Sequence, residues 1–544
     1  MVNIIGAGLA GLSAAIALAK ENIQSSLISV QASERAQSVM AEGGTNGALN
    51  TMGEGDTVED HFNDTFKAGV FIGDRKAIEG FTRTAPDILR ELIDLGVPFN
   101  IKGETVQQRS FGGQKKKRTA YARSSTGKVL MSALIDEARR YEAQGLIHRF
   151  SHHEFTDVLI SEGVCRGAAV KDLYTGLEMI FEGPVIMACG GFNGMFPEVT
   201  TGTVGNSGSA AARLFSRGVK FSNLEMIQYH PTTMKIPGKC CLVSEAARGE
   251  GGRLFVMRGG ERWYFMEEKY PELGNLMPRD VVARESYFVT HDESCEDQVW
   301  LDMHHLSAGT WKVKLPDLRE EVKHYLGIDP AKDPIPVSPG IHYFMGGIDV
   351  DIGHRTNIAG LLAAGECCSQ YHGANRLGGN STMGAMYGGR IAAGTAAALL
   401  KSKEDTGFEN GAARDIFKNP EKEDTAENDQ SGKRGAPKAD YGFILRLRDI
   451  MLPALGIVRE EETMKDALSK VRALLNEEGL NESERERGIF ACAVLESALF
   501  RKESRGAHYR SDYPETSDEY KGNTTAEFDG SIRIGFYKTN ESYI

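Results

Sequence analysis

No stretch of this 544-residue chain approaches the ~20 apolar residues needed to cross a bilayer. Its opening, "MVNIIGAG", has neither the basic start nor the apolar run of a secretory signal. A cytoplasmic protein without its own membrane span is therefore expected. Cysteine is sparse and wrongly spaced for metal. Cys165, Cys189, Cys240, Cys241, Cys295, Cys367, Cys368 and Cys492 contain no C-x-x-C pair. A zinc or iron–sulfur site held by this chain alone is not expected, nor is a disulfide framework. The two adjacent pairs read as small buried residues. Positive charge is also short: 63 Lys and Arg against 75 Asp and Glu give a net charge of -12. That balance argues against a general nucleic-acid binder.

Glycine is plentiful, at 62 residues, and it falls in informative places. The short apolar strand "VNII" (2–5) runs into "GAGLAGLSAAIALAK", where Gly6, Gly8 and Gly11 make G-x-G-x-x-G. A small-residue helical pattern starts there, and a second strand follows at about 23–28. Strand, glycine turn and helix in that order place a pyrophosphate at a helix N-terminus. The acidic residue that usually ends the second strand is replaced by Ser29, so a standard NAD ribose contact is not expected. Two later strands, "PVIMACGG" and "GLLAAGECC" (360–368), also run into glycine, the second before a long small-residue helix. One nucleotide domain is thus expected from distant parts of the chain, with an insertion at about 231–340. Residues 402–438 are charged and read as a linker or surface excursion. Apolar spacing near 3.6 then predicts a helical domain to about 520. The remainder, 521–544, reads as an extended polar tail.

One stretch poses a sharper question. "LVSEAARGEGGRLF" (242–255) sets Glu245 and Arg248 three residues apart, which lets them touch on one helix face. The simple reading is a surface ion pair at a helix end.

Several long segments resemble a known family: "GAGLAGLSAA", "AEGGTNGAL", "FGGQKKKRTAYARSSTGKVLMSAL", "QYHPTTM", "LVSEAARGEGGRLF", "MPRDVVARES", "PGIHYFMGGIDVD", "AAGECCSQYHGANRLGGNS" and "RKESRGAHYRSDYP". The chain resembles the flavoprotein subunit of fumarate reductase and succinate dehydrogenase, relatives of L-aspartate oxidase. The resemblance implies an α/β fold: a Rossmann-like FAD-binding domain (1–230 and 341–401), an inserted α+β capping domain (231–340) and a C-terminal helical domain (439–520). It implies FAD contacts from Gly6, Ala7, Gly8, Gly11, Ser29, Gly43, Gly44, Glu366 and Ser381. Two positions depart from the family. The residue that links flavin covalently is histidine in the family and Gln37 here, and an amide cannot form that bond, so FAD is expected to be non-covalent. The "GDG" at the adenosine end reads "NSG", with Ser207 replacing the acid.

The resemblance further implies a C4 dicarboxylate substrate held by Phe111, His230, Ser244, His342 and Arg376. Arg376 suits bidentate carboxylate recognition. Hydride would come from the flavin, and the proton from Arg279, resupplied through Glu245 and Arg248. Arginine is a poor acid in water, with a pKa above about 12, so a dry site and a relay are required. Phe111 stands where L-aspartate oxidase carries an acidic partner for the substrate ammonium, which favours an unaminated dicarboxylate. Glu42 in "AEGG" resembles fumarate reductases more than succinate dehydrogenases. Fumarate reduction, or its reverse, is the expected activity, with an iron–sulfur subunit as electron partner. The alternatives are L-aspartate oxidation, reduction of a related unsaturated acid, and a flavin subunit active only inside a complex.

Overall fold

The computed structural model describes residues 1–123, 125–401 and 438–539. The expected linker at 402–438 lies outside the described residues except for its last position.

The N-terminal strand Val2–Ile5 is buried along its whole length, as a strand covered on both faces must be. It sits at the centre of a five-stranded parallel sheet, ordered 361–363, 185–187, 2–5, 25–29 and 147–151. Neighbours in this sheet are up to about 180 residues apart in sequence, so one nucleotide-type sheet gathers distant segments. The helices Leu9–Lys20 and Asn380–Lys401 pack together through small residues. A Cβ on Gly389 would lie 2.2 Å from the carbonyl oxygen of Ala10, so only glycine permits this approach. An antiparallel three-stranded sheet, from residues 153–161, 164–172 and 178–182, flanks the parallel one.

A second body carries a six-stranded sheet, ordered 239–242, 227–236, 335–344, 295–302, 253–258 and 261–263. Its own apolar core includes Val243, Leu254, Phe265, Val282, Trp311 and Val337. The chain enters and leaves this body through the paired strands Ile227–Ile236 and Ile335–Phe344. The boundaries expected at 230/231 and 340/341 therefore fall inside two hydrogen-bonded strands. The two strands stay paired from Ile227–Phe344 to Thr233–Ser338, with irregular register between Gln228 and Tyr229 and between His230 and Thr233.

Helices Lys438–Ala454, Glu461–Leu475 and Glu482–Phe500 follow. The last opens with a charged turn and then buries the run from Phe490 to Leu495. Its Phe490 packs edge-on against Phe192, Phe215 and Phe221 of the first body. The expected tail from 521 needs correction. Gly522–Phe528 and Ile532–Lys538 form a hairpin whose first strand pairs with Phe221–Ser222. Buried Arg501 ties this region down, donating to Glu225 (2.7 Å) and Glu503 (2.8 Å), while Thr524 donates to Glu225 (2.7 Å). A polar-looking segment is held because its partners are central strands and a paired buried charge.

Candidate active site

The glycine turn after the first strand has a separate reason at each position. Gly6 adopts φ +117°, and a Cβ there would lie 2.1 Å from the carbonyl oxygen of Ala188 on the neighbouring segment. A Cβ on Gly11 would lie 1.8 Å from the carbonyl oxygen of Gly6, so the helix can rest on the turn only without one. Gly8 is the N-cap and offers no side chain to the first-turn amides. Ser38 Oγ accepts from the Leu9 amide at 3.2 Å, and the positive end of the helix dipole otherwise faces the cleft, where it favours an anion.

Gly6, Ala7 and Gly8 open onto one continuous cleft with an empty volume of about 1900 Å³, including its mouth. Ser29, Gln37, Gly43, Gly44, Glu366 and Ser381 line the same cleft, as do Phe111, His230, Ser244, Glu245, Arg279, His342 and Arg376. Gly11 and Arg248 do not line it; one supports the turn and the other stands behind Glu245. The Gln37 amide oxygen accepts from the Thr203 amide at 2.6 Å. Glu366 accepts from the amide of Phe344 (3.2 Å) and from Asn193 (3.4 Å), while burial pushes its carboxyl up to about 7. Ser207 bonds Ser209 at 3.0 Å. The Phe111 ring wedges against Gly43, where an added Cβ would lie 2.7 Å from its Cζ.

Cationic and donor groups gather at the inner end. The paired strands 227–236 and 335–344 bring His230 and His342 together with ring centroids 5.1 Å apart. His230 Nδ1 faces the Thr232 carbonyl oxygen at 3.0 Å, and His342 Nδ1 faces Thr201 Oγ1 at 2.7 Å. Burial, then the charge of Arg279, pushes both imidazoles well below their ordinary value, so both are neutral. Arg376 lies with its guanidinium 4.2 Å from the centroid of Tyr343. Burial, reinforced by Arg279, lowers Arg376 to about 9. Two buried nitrogens here, His230 Nε2 and Arg376 Nε, have no partner among the described residues. Such orphaned groups are costly to bury unless a ligand satisfies them. Ser244 is fully buried beside them.

The pair raised by the sequence is not on the surface. The side chains of Glu245 and Arg248 are 1% and 0% exposed. Glu245 Oε2 accepts two bonds from Arg279, at 3.0 Å from Nε and 2.5 Å from Nη2. Its Oε1 accepts from the Gly112 amide (3.0 Å) and from Arg248 (3.3 Å). Burial alone would raise this carboxyl, but Arg279 and Arg248 outweigh it and hold it below its ordinary value. An unbroken arginine–carboxylate–arginine chain thus leads inward to the cleft wall.

Sequence reasoning missed Gln228. Its Oε1 accepts from Arg279 Nη1 (3.1 Å), and its Nε2 donates to Asn375 (2.8 Å) and the Arg376 carbonyl (2.9 Å). It locks the two arginines in mutual position. The signal was available, since residues two apart on a strand share a face and Gln228 precedes His230 by two. Thr201 gave no such signal, because it lies in an irregular loop far from His342 in sequence.

A helix terminus over a glycine cradle, opening on a long cleft with a cationic end, is the arrangement of a dinucleotide-binding fold. Residues 2–382 match the FAD binding domain family, and residues 485–541 match the fumarate reductase flavoprotein C-terminal family. The chain is 36% identical to the succinate dehydrogenase flavoprotein subunit of Bacillus subtilis, over 95% of this chain and 92% of the relative. It is 34% identical to the fumarate reductase flavoprotein subunit of Mycobacterium tuberculosis, over 98% and 96%. Among solved structures, a mutant of E. coli quinol fumarate reductase superposes with TM-score 0.85 at 28% identity, covering 100% of this chain and 97% of that one. Mycobacterium smegmatis Sdh1 in complex with UQ1 superposes with TM-score 0.79 at 28% identity, covering 99% and 94%. The chain belongs to the succinate dehydrogenase and fumarate reductase flavoprotein family, and is an FAD-binding oxidoreductase.

Proposed function

We propose that this flavoprotein reduces fumarate to succinate, with Arg279 as proton donor and FAD held without a covalent bond. One observation carries the reading. Arg279 stands on the cleft wall, doubly bonded to a buried carboxylate, beside buried nitrogens of His230 and Arg376 that have no partner among the described residues.

Gly6, Ala7, Gly8, Gly11 and Ser29 would hold the pyrophosphate and adenosine part of FAD, and Gly43, Gly44, Glu366 and Ser381 the rest. When bound, FAD supplies a hydride. The chain does everything else. Arg376 and His342 would bind one substrate carboxylate, and His230 and Ser244 would face the other, in a site removed from water. Phe111 closes the apolar side and offers no anion to an ammonium group, which favours an unaminated acid. Arg279 then delivers the proton to the carbon opposite the one reduced. Glu245, a carboxylate at rest, returns a proton received through Arg248.

Gln37 supports non-covalent FAD, because an amide nitrogen is not a nucleophile. With Glu42 it supports the reducing direction. The electron partner proposed is an iron–sulfur subunit, because relatives in Bacillus subtilis and Mycobacterium tuberculosis carry the name flavoprotein subunit. Among the described residues no helix is long and apolar enough to cross a membrane. A cytoplasmic protein, tethered to a membrane through such a partner, fits the reading.

The test is a side-by-side assay of the purified chain against fumarate, succinate and L-aspartate, using artificial electron donors and acceptors. Fumarate reduction should be fastest. Activity only after addition of a partner would favour the second reading, a flavin subunit dependent on its complex.

A further inference from the structure

Outside the cleft, the capping body brings together a carboxylate and two imidazoles. The strand Cys295–Asp302 ends at Asp302, and the turn after it presents His304 and His305. One ligand atom from each residue lies within 4.8 Å of the others. We propose that Asp302, His304 and His305 form a binding site for a borderline first-row divalent cation, with Zn2+ the test case.

The geometry goes beyond a chance surface cluster. Asp302 is 1% exposed, unlike the solvated carboxylates that gather on any protein surface. Tyr264 donates to its Oδ2 (2.8 Å) and Arg262 Nη1 lies 3.2 Å from the same atom. Both bonds fix the carboxylate plane and leave Oδ1 facing the histidines, where it accepts from the His304 amide (3.2 Å) and meets the His304 ring. His305 is oriented as well. Its Nε2 faces the Gly251 carbonyl oxygen at 2.9 Å, which can only accept. Nε2 therefore carries the proton, and Nδ1 keeps a lone pair when the ring is neutral. A backbone carbonyl holding the outer nitrogen is the usual support behind a metal-bound imidazole.

The donor set selects the metal class. Two imidazoles and one carboxylate suit Zn2+, Ni2+ or Cu2+, whereas Mg2+ and Ca2+ prefer all-oxygen shells. Metal–ligand bonds of ~2.0–2.2 Å require the three atoms to draw closer than 4.8 Å. The exposed rings of His304 and His305 can turn to do so. Charge sets the limit. Arg262 competes for Asp302, whereas nearby Arg253 is already neutralised by two bonds to Glu267 (2.7 and 2.5 Å). The ring proton between His304 and Asp302 leaves for solvent as the metal enters, so binding weakens in acid.

The experiment uses tag-free, FAD-loaded protein. Calorimetric titration with Zn2+ should show one equivalent bound, which excess Mg2+ does not displace. His304→Gln and His305→Gln should each weaken binding at least ~10–100-fold, the loss seen even for outer-shell partners. Both positions are exposed, and unchanged fumarate turnover in the two variants would verify their fold. Cu2+ bound to the wild type should show imidazole nitrogen couplings by electron paramagnetic resonance, lost in the double variant. If the wild type binds no Zn2+, or the double variant binds it equally well, the site does not exist.

Discussion

Replacing Glu245 with glutamine separates a proton relay from a structural ion pair. Glutamine keeps the shape and can still accept from Gly112 or Arg279, but it cannot exchange a proton and carries no charge. Two buried guanidiniums, on Arg279 and Arg248, would then share no anion. Breaking a buried pair costs ~3–5 kcal/mol of stability, and the acceptor bonds that survive place this change at the lower end. The kinetic effect is separate. Proton delivery by a positioned group is worth ~10²–10⁴-fold, or ~3–5 kcal/mol of barrier at about 1.36 kcal/mol per decade. Steady-state fumarate reduction from an artificial donor should lose kcat by that factor. Affinity for a non-reacting dicarboxylate should barely change, because Glu245 bonds Arg279 and not the substrate. Reduction of the bound FAD should proceed normally. The stability effect has a definite pH sense. The folded-state pKa of Glu245 is depressed, so its stabilisation is present above the unfolded carboxyl pKa and is lost as pH falls through the folded value. The stability gap between wild type and variant should therefore close in acid. A variant that turns over fumarate at the wild-type rate across pH would reduce the pair to structure and send the proton by another route.

Arg279→Ala should be more damaging still, since it removes the donor itself, and the same donor assay checks it. Arg376→Lys should cripple turnover although charge is retained, because the planar fork over Tyr343 is lost. Burial lowers Arg376 to about 9, so wild-type kcat/KM for fumarate should fall as pH rises through that value and the guanidinium loses its charge. Acid precipitation should leave the yellow FAD in the supernatant; flavin remaining on the polypeptide would refute the argument from Gln37. Gly11→Ala should lower FAD content and destabilise the fold by ~1–3 kcal/mol, measured by flavin absorbance and thermal melting, because its Cβ would strike the Gly6 carbonyl oxygen. L-Aspartate should be oxidised more slowly than fumarate is reduced; the reverse ranking would overturn the reading of Phe111.

The family and the Rossmann-like fold were legible in the sequence, because both rest on local rules. Gly6, Gly8 and Gly11 are required by one turn and one helix start, and the strand-to-glycine pattern recurs at 185–191 and 361–365 wherever the parallel sheet ends. Motif residues such as His230, Arg279 and Arg376 were also nameable one by one. Other features needed three dimensions. Gln228 joins Arg279 to Arg376 only once a strand, a helix start and a loop meet. The strands that carry the chain between the two bodies run through the boundaries expected at 230/231 and 340/341, since the sequence does not show that one strand pair serves both crossings. The final hairpin reads as a polar tail because Asn523, Thr524, Thr525, Glu527, Arg533 and Lys538 are polar, and its partners lie about 300 residues away. Above all, Glu245 and Arg248 have the spacing of any helix-end ion pair. Only tertiary packing, which buries both and aims the carboxylate at Arg279, distinguishes a buried ion chain from a surface bridge, because spacing fixes which side chains can touch and the surrounding fold fixes whether water reaches them.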